Sequence, residues 1–231
     1  MVNDNLLAVA KIIFEETYLK PTNYFSHIPP EWEKTILSKV TDFINGYNFK
    51  SKDMLKSPQS NTYKVFKQGN IKVGGGLNEN GTKSWILKNK VQDENKFILK
   101  KWDLLMAMTD MKNKVAILGN TALMNIDDEY VLNQRVGLLR ANHYKSISPA
   151  YLYLLTNSSP VLDEIRKHAH SGVQVNLSSK EIKNTDVVIA PEKINRNFNS
   201  KIKPLFYKLM QVEQENDKLY HLKKLLLDKY F

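Results

Sequence analysis

A mixed α/β fold, led by short strands and closed by a long C-terminal helix, is predicted by two observations. Between Trp32 and Val188 the apolar residues fall in short runs broken by Gly, Asn and Asp, the pattern of strands. Ahead of Pro21 and beyond Pro191 they recur at helical and heptad spacing instead. The 231 residues, 42% hydrophobic and 25% charged, suffice for one sizeable core or two small ones.

The first element is a short helix over residues 4–19. Leu6, Ala10, Ile13 and Thr17, with Leu7, Phe14 and Tyr18 beside them, form one apolar face that needs a partner. Lys11 interrupts the stretch and Glu15-Glu16 follow, so it is too short to span a bilayer, and it lacks a cleavage-site pattern. The expected location is the cytoplasm. From Lys20 to Glu31 three prolines bias the chain toward extended, unpaired backbone, which reads as a linker.

Strands are expected at residues 35–40, 63–66, 70–73, 97–99, 104–108, 115–118, 135–139 and 187–189. Pro149 opens a helix through about Asn157 and Pro160 another through about Ala169, each proline at the first-turn position that tolerates a missing N–H. Beyond Pro191, with Ile202 as an a position, Leu205, Val212, Leu219 and Leu226 fall at d, while Leu209, Asn216, Lys223 and Tyr230 fall at a. This is a coiled-coil seam with two polar a positions, able to fix register with a partner; the alternative is a helix packed on its own domain. Pro204 either kinks a helix begun near Glu192 or opens a new one of about 27 residues, a rod on the order of 40 Å. The expected organisation is therefore residues 1–22 as N-terminal helix and linker, 23–190 as a strand-led domain, and 191–231 as a helical spacer and dimerisation region.

Lys and Arg outnumber Asp and Glu by 34 to 24, a net charge of +10 that favours a polyanionic partner. With no cysteine the chain has no disulfide, thiolate metal site or cysteine nucleophile. Gly74-Gly-Gly-Leu-Asn-Glu-Asn-Gly-Thr-Lys-Ser84 resembles a phosphate loop, but Thr82 separates its last glycine from the lysine, so a mobile turn between strands is expected. His168 and His170 are read as helix-end residues, since two residues apart on a helix they point in different directions and nothing at ligand spacing completes a metal site. Asp103 and Asp110 bracket Leu104–Thr109 and are expected in turns, not as a metal-binding nuclease pair. No Gly-x-Ser-x-Gly elbow, AdoMet-binding glycine loop or Asn/Asp-Pro-Pro-aromatic motif is present, so the chain is expected to be non-catalytic.

What remains is a basic surface interleaved with amides and aromatics. Tyr47, Asn48, Lys50 and Lys52 form one candidate DNA-binding set, and Lys64, Lys67, Asn70 and Lys72 a second. Lysines neutralise phosphates while amide and phenol groups meet base edges, and a sequence-specific reader needs both. Tyr47 and Phe49 are equally readable as core residues.

Four phrases in fixed order carry a resemblance: Phe43-Ile-Asn-Gly-Tyr-Asn-Phe-Lys-Ser-Lys-Asp53, Asp103-Leu-Leu-Met-Ala-Met-Thr-Asp110, Leu132-Asn-Gln-Arg-Val-Gly137 and Ser171-Gly-Val-Gln-Val-Asn-Leu-Ser178. With the helix that follows, they resemble the specificity (S) subunit of type I restriction-modification systems, from about Pro29 to the C-terminus. A full S subunit carries two target-recognition domains and two helical spacers; this chain has room for one of each. The resemblance implies a sequence-specific DNA-recognition subunit for a bipartite site, with double-stranded DNA, an adenine methyltransferase subunit and a restriction-translocase subunit as partners. AdoMet, ATP and Mg would then belong to those partner subunits alone. One reader per chain implies pairing, as a homodimer or with another half subunit, through Ile202, Leu205, Leu209, Val212, Asn216, Leu219 and Leu226. The alternative is an antirestriction or protein-interaction module that keeps the architecture without reading DNA. Two departures bear on turn geometry: the family phrase has Gly where this chain has Trp102, and Pro where it has Val175.

Overall fold

Helix α1 (Val2–Phe14) opens the chain in the computed structural model, which describes residues 2–78, 81, 83–111, 115–167, 169–171 and 174–230. One π-helical turn, Glu15–Leu19, extends it. Strands β1 (Glu33–Ile36), β2 (Thr41–Asn45), β3 (Thr62–Phe66) and β4 (Trp85–Leu87) follow, then the single turn α2 (Glu94–Phe97). Next come β5 (Leu104–Ala107), β6 (Thr109–Met111), β7 (Thr121–Leu123), β8 (Tyr130–Leu132) and β9 (Val136–Ala141). Helices α3 (Pro149–Thr156) and α4 (Ser159–Lys167) precede β10 (His170–Ser171), β11 (Gln174–Asn176), α5 (Ser179–Lys183) and β12 (Asp186–Ile189). The chain ends in α6 (Glu192–Tyr230), 39 residues and, at the usual helical rise, about 58 Å long.

The central sheet is antiparallel in the order β2-β9-β5-β7. Every residue of β5 is buried, because alternation sends Leu104 and Met106 to one apolar cluster and Leu105 and Ala107 to another. The first cluster lies under α1, α3 and α6; the second is closed by Phe66, Ile71, Leu99 and Met124. Strands β4-β3-β8 form a separate three-stranded sheet, β3 running parallel to β8, over a third cluster of Phe49, Tyr63, Val65, Ile86, Val91, Phe97, Ile98 and Val131. That third cluster forms a small lobe beside the main core.

The helices follow their sequence signals. Ser148 caps α3 by accepting the Tyr151 amide at 3.2 Å, and Pro149 sits in the first turn. On α6 the buried residues Asn195, Phe198, Ile202, Phe206 and Met210 recur at three- and four-residue steps, so its first half packs on the body of the chain. Helix α1 lies against it through Phe14, Tyr18 and Phe198, whose rings, with Tyr151 and Trp32, meet at centroid separations of 4.9–6.1 Å. Each such pair contributes about 0.5–1.5 kcal/mol beyond its buried area. The proline-rich segment between them includes three successive left-handed residues, Asn23, Tyr24 and Phe25, and a buried Thr22 whose hydroxyl bonds the Tyr18 and Leu19 carbonyls.

The structure corrects several sequence expectations. Of the two readings of Pro204, the longer helix begun at Glu192 is the one observed: α6 runs through the proline, which does not open a new helix. The run 35–40 spans the end of β1 and a 3-10 turn; 70–73 and 97–99 make only isolated bridges at Ile71 and Ile98; 115–118 is not a strand. Strands β2, β4, β6, β7, β8 and β11 were not expected where they stand, nor was α5, although Ser178 and Glu181 form the capping box that announces it. His170 starts a strand instead of ending a helix, and His168 lies outside the described residues. In the glycine-rich turn the amides of Gly74 and Gly76 donate to Asn120 Oδ1 and to the Thr121 carbonyl at 3.2 and 2.9 Å. Residues 79, 80 and 82 of that motif lie outside the described residues.

Candidate nucleic-acid interface

The four shared phrases meet in space. Strand β2 of the first pairs with β9, which contains the end of the third, and β9 pairs with β5 of the second. Strand β6, also from the second, pairs with β11 of the fourth. The close approach is enforced at two glycines: a Cβ on Gly46 would lie 1.9 Å from the Asn133 carbonyl oxygen, and one on Gly137 would lie 2.6 Å from the Phe43 ring. Of the two aspartates expected in turns, Asp103 stands in the turn ahead of β5, whereas Asp110 lies in strand β6. Asp103 is buried, accepts the Lys100 amide at 2.8 Å and holds Arg140 by two hydrogen bonds of 2.7 and 2.8 Å, which keeps the guanidinium pKa raised. Asp110 Oδ2 accepts the amides of Ile117 and Leu118 at 2.6 and 3.1 Å.

Both departures from the shared phrases are explained locally. Trp102 has φ +76°, a conformation natural to glycine, and its ring packs edge-on against Tyr207 of α6 at 5.1 Å. Val175 is a buried residue in the middle strand of the β10-β11-β6 sheet, paired with Asp110, where a β-branched residue fits well.

With this framework set, the first candidate set extends from the end of β2. The Tyr47 amide donates to the Leu132 carbonyl and its own carbonyl accepts from Gln134, so the turn is pinned to the third phrase. The Tyr47 ring is half-buried against Phe49 at 4.7 Å and Phe97 at 5.2 Å, and Phe49 is buried, so these aromatics serve the small lobe's core. Asn48, Lys50 and Lys52 are exposed around them. The same cluster is covered by the segments carrying Lys56, Lys90 and Lys96, all exposed and overlooked in the sequence reading. Among the described residues, Lys50, Lys52, Lys56 and Lys90 form no ion pair. Between Tyr47 and Lys101 twelve lysines accompany only four acidic residues, a surplus of eight, which is most of the chain's net +10. A charge count by segment would have marked this stretch, though not which of its lysines share the lobe.

The second set lies elsewhere. Alternation along β3 sends Tyr63 and Val65 into the lobe and Lys64 to the opposite face, where it pairs with Glu129 at 3.0 Å. Lys67 donates to Ser84 Oγ at 2.8 Å, and burial lowers its pKa. Asn70 Oδ1 accepts the Lys67 amide at 2.9 Å, closing the 3-10 turn Gln68–Asn70. Lys72 is exposed and borders a cleft with Asp4 and Glu213 beside α1 and α6. Lys50 and Lys52 thus share with the unforeseen lysines the segments that cover one apolar cluster, while Lys64, Lys67 and Lys72 have other surroundings.

The seam positions divide along α6. Ile202 is buried in the chain's own core; Leu205, Leu209 and Val212 are half-buried; Asn216, Leu219 and Leu226 are exposed, the two leucines at 62% and 48%. Tyr220, Leu222, Leu225, Leu227 and Tyr230 are exposed as well, so the last two turns of the helix and more carry an uncovered apolar surface. Among the described residues no group of His, Cys, Asp and Glu could hold a metal ion, and no helix is long and apolar enough to cross a membrane.

Residues 29–220 match the family described as the type I restriction modification DNA specificity domain. No curated protein sequence matches the chain. Among solved structures it is similar to the HsdS subunit from Thermoanaerobacter tengcongensis, at 15% identity and TM-score 0.50, covering 98% of this chain and 51% of that one. It is also similar to the type I restriction-modification S subunit from M. genitalium, at 16% identity and TM-score 0.57, covering 100% and 57%. A third similar chain comes from a structure described as showing complex assembly and conformational transition of the type I R-M system, at 14% identity and TM-score 0.54, covering 98% and 54%. The chain shares their fold and spans about half their length.

Proposed function

Because the chain belongs to the type I restriction modification DNA specificity family, we propose that it is a sequence-specific DNA-recognition subunit that directs methyltransferase and restriction subunits to a bipartite site. The observation that carries the reading is the group of exposed lysines Lys50, Lys52, Lys56, Lys90 and Lys96 on the segments that cover the small lobe, within an arginine-free stretch that holds most of the chain's net charge. Exposed lysines there supply phosphate contacts, and Asn48 and the edge of Tyr47, held on a pinned turn, supply groups able to meet bases. The side chains that could have suggested catalysis have structural work: Asp103 holds the Lys100 amide and Arg140, and Asp110, in β6, holds the amides of Ile117 and Leu118. AdoMet, ATP and Mg chemistry then resides in the partner subunits.

One reading lobe per chain serves one half of a bipartite site. Two copies supply both halves, with the exposed leucines beyond Asn216 as their contact. The test is an adenine-methylation map of cells carrying the cognate methyltransferase subunit with and without this chain. A bipartite motif methylated only when the chain is present is the expected result, near-palindromic if two identical copies pair. A soluble complex with the methyltransferase that methylates no new motif would favour a protein-interaction module instead.

A further inference from the structure

A cleft of about 670 Å³ opens between the body of the chain and one side of the first half of α6. Lys101, Trp102, Arg140 and His143 line one side, Lys203 and Tyr207 the other. Trp102 and Tyr207 meet edge to face at 5.1 Å, and the Lys101 and Lys203 ammonium groups stand 5.7 and 5.8 Å from the Tyr207 ring centroid. The one carboxylate in the lining, Asp103, is consumed by Arg140, so the lysines leave the cleft positive. The first half of α6 is basic as well: from Glu192 to Lys208 five Lys and Arg residues accompany a single acidic one, which Arg196 pairs.

We propose that this cleft seats an acidic segment of a partner protein, with its carboxylates on Lys101 and Lys203 and an aromatic or apolar side chain against Trp102 and Tyr207. The shape selects a polypeptide over duplex DNA. A concave site of this volume accepts a few side chains, whereas a duplex offers its phosphates on a convex cylinder too wide to enter. The positive walls steer and orient an acidic segment, and the paired rings supply the contact area that anchors it. This site is separate from the small lobe's lysine surface, so its loss and the loss of DNA reading are independently observable.

The test is a random-peptide display selection on the full chain, with the enriched peptides then measured by fluorescence anisotropy. Expected are sequences rich in Asp and Glu with an aromatic residue, bound about tenfold more weakly by a Lys101→Glu, Lys203→Glu double variant. Lys50→Glu with Lys52→Glu should leave peptide binding unchanged, and a duplex of unrelated sequence should not displace the peptides. Trp102→Gly, which keeps the left-handed turn while removing the ring, should weaken binding as well and covers the case in which the charge variant does not fold. Absence of acidic enrichment, indifference to both cleft variants, or displacement by the duplex would each overturn the proposal.

Discussion

Tyr18 donates its hydroxyl hydrogen to Asn195 Oδ1 at 3.0 Å, joining the turn that ends the N-terminal helix to the first turn of α6. Asn195 is fully buried, and its Nδ2 donates to the carbonyls of Lys145 at 2.9 Å and Ala190 at 3.1 Å. One carboxamide therefore holds three segments distant in sequence. Tyr18→Phe orphans Oδ1 in a dry site, which costs about 1–3 kcal/mol, a fall of several degrees in Tm for a chain of this size. Calorimetry reads it; an unchanged Tm would mean that another donor replaces the phenol.

Burial raises the pKa of Tyr18, Tyr151 and Tyr153 well above the usual value near 10, helped at Tyr18 by Tyr151 and at Tyr153 by Glu213. Each folded-state pKa lies above its unfolded one, so the stability these phenols contribute is complete below about pH 10. Above that it falls, as the unfolded chain ionises and the folded one does not, by about 1.4 kcal/mol per pH unit for each tyrosine. Urea midpoints should drop steeply between about pH 10 and 11.5, less so in Tyr18→Phe; a flat profile would show that the phenols ionise in place.

Gly46 and Gly137 predict a contrast between two alanine substitutions. At Gly46 the new methyl meets backbone, the Asn133 carbonyl, which is fixed by the β-bridge between Tyr47 and Asn133. At Gly137 it meets the Phe43 ring, a side chain that can turn aside or be shortened. Gly137→Ala is expected to cost about 1–3 kcal/mol and to be partly rescued by Phe43→Leu. Gly46→Ala should cost more and not be rescued; equal effects in chemical denaturation would contradict this account of the shared phrases.

For DNA binding, removal of a lysine that contacts a phosphate lowers the log–log salt slope by about 0.9. Lys50→Ala with Lys52→Ala should therefore reduce the slope by about 1.8 on every sequence, while Lys64→Ala, whose ammonium Glu129 already partners, should change it less. Asn48→Ala should relax preference for the methylated motif, whereas Asn70→Ala should act on the turn that its carboxamide closes. Titrations across salt concentrations decide; an unchanged slope in the lysine double variant would move the phosphate contacts off this lobe.

Leu219 and Leu226 are already exposed in the single chain, so Leu219→Lys with Leu226→Lys should leave Tm nearly unchanged while light scattering shows dissociation of the paired form. Ile202→Lys is expected to unfold the chain instead, because it buries a charge. An unaltered mass in the leucine double variant would exclude pairing through this stretch.

The four longer helices were legible because their signals are local, whereas the short α2 and α5 were missed. Pro149 and Ser148 start α3 by supplying a fixed φ and an acceptor to the first turn, and the three- and four-residue steps from Phe198 to Met210 mark the buried face of α6 wherever that face is placed. Short strands were less legible. The run 115–118 is as apolar as β5 yet lacks a partner strand, whereas Thr41–Asn45, with Asp42 and Asn45 exposed, becomes β2 through its ladder to β9. Pairing across about a hundred residues is a property of the folded chain, not of either segment.

By itself, then, the sequence determined the strand-led body, the terminal helices, the basic balance and the order of the phrases that mark the family. Tertiary structure decided which side each residue serves. It turned Phe49 and Ile202 inward, left Lys50 and Leu219 outward, turned Lys64 toward Glu129 and away from the small lobe, and brought residues of three distant segments, around Trp102, Arg140 and Tyr207, into one cleft. The physical reason is that propensity and periodicity act over a few residues, whereas burial and charge neutralisation depend on what packs against each side chain, and those partners lie tens to more than a hundred residues away.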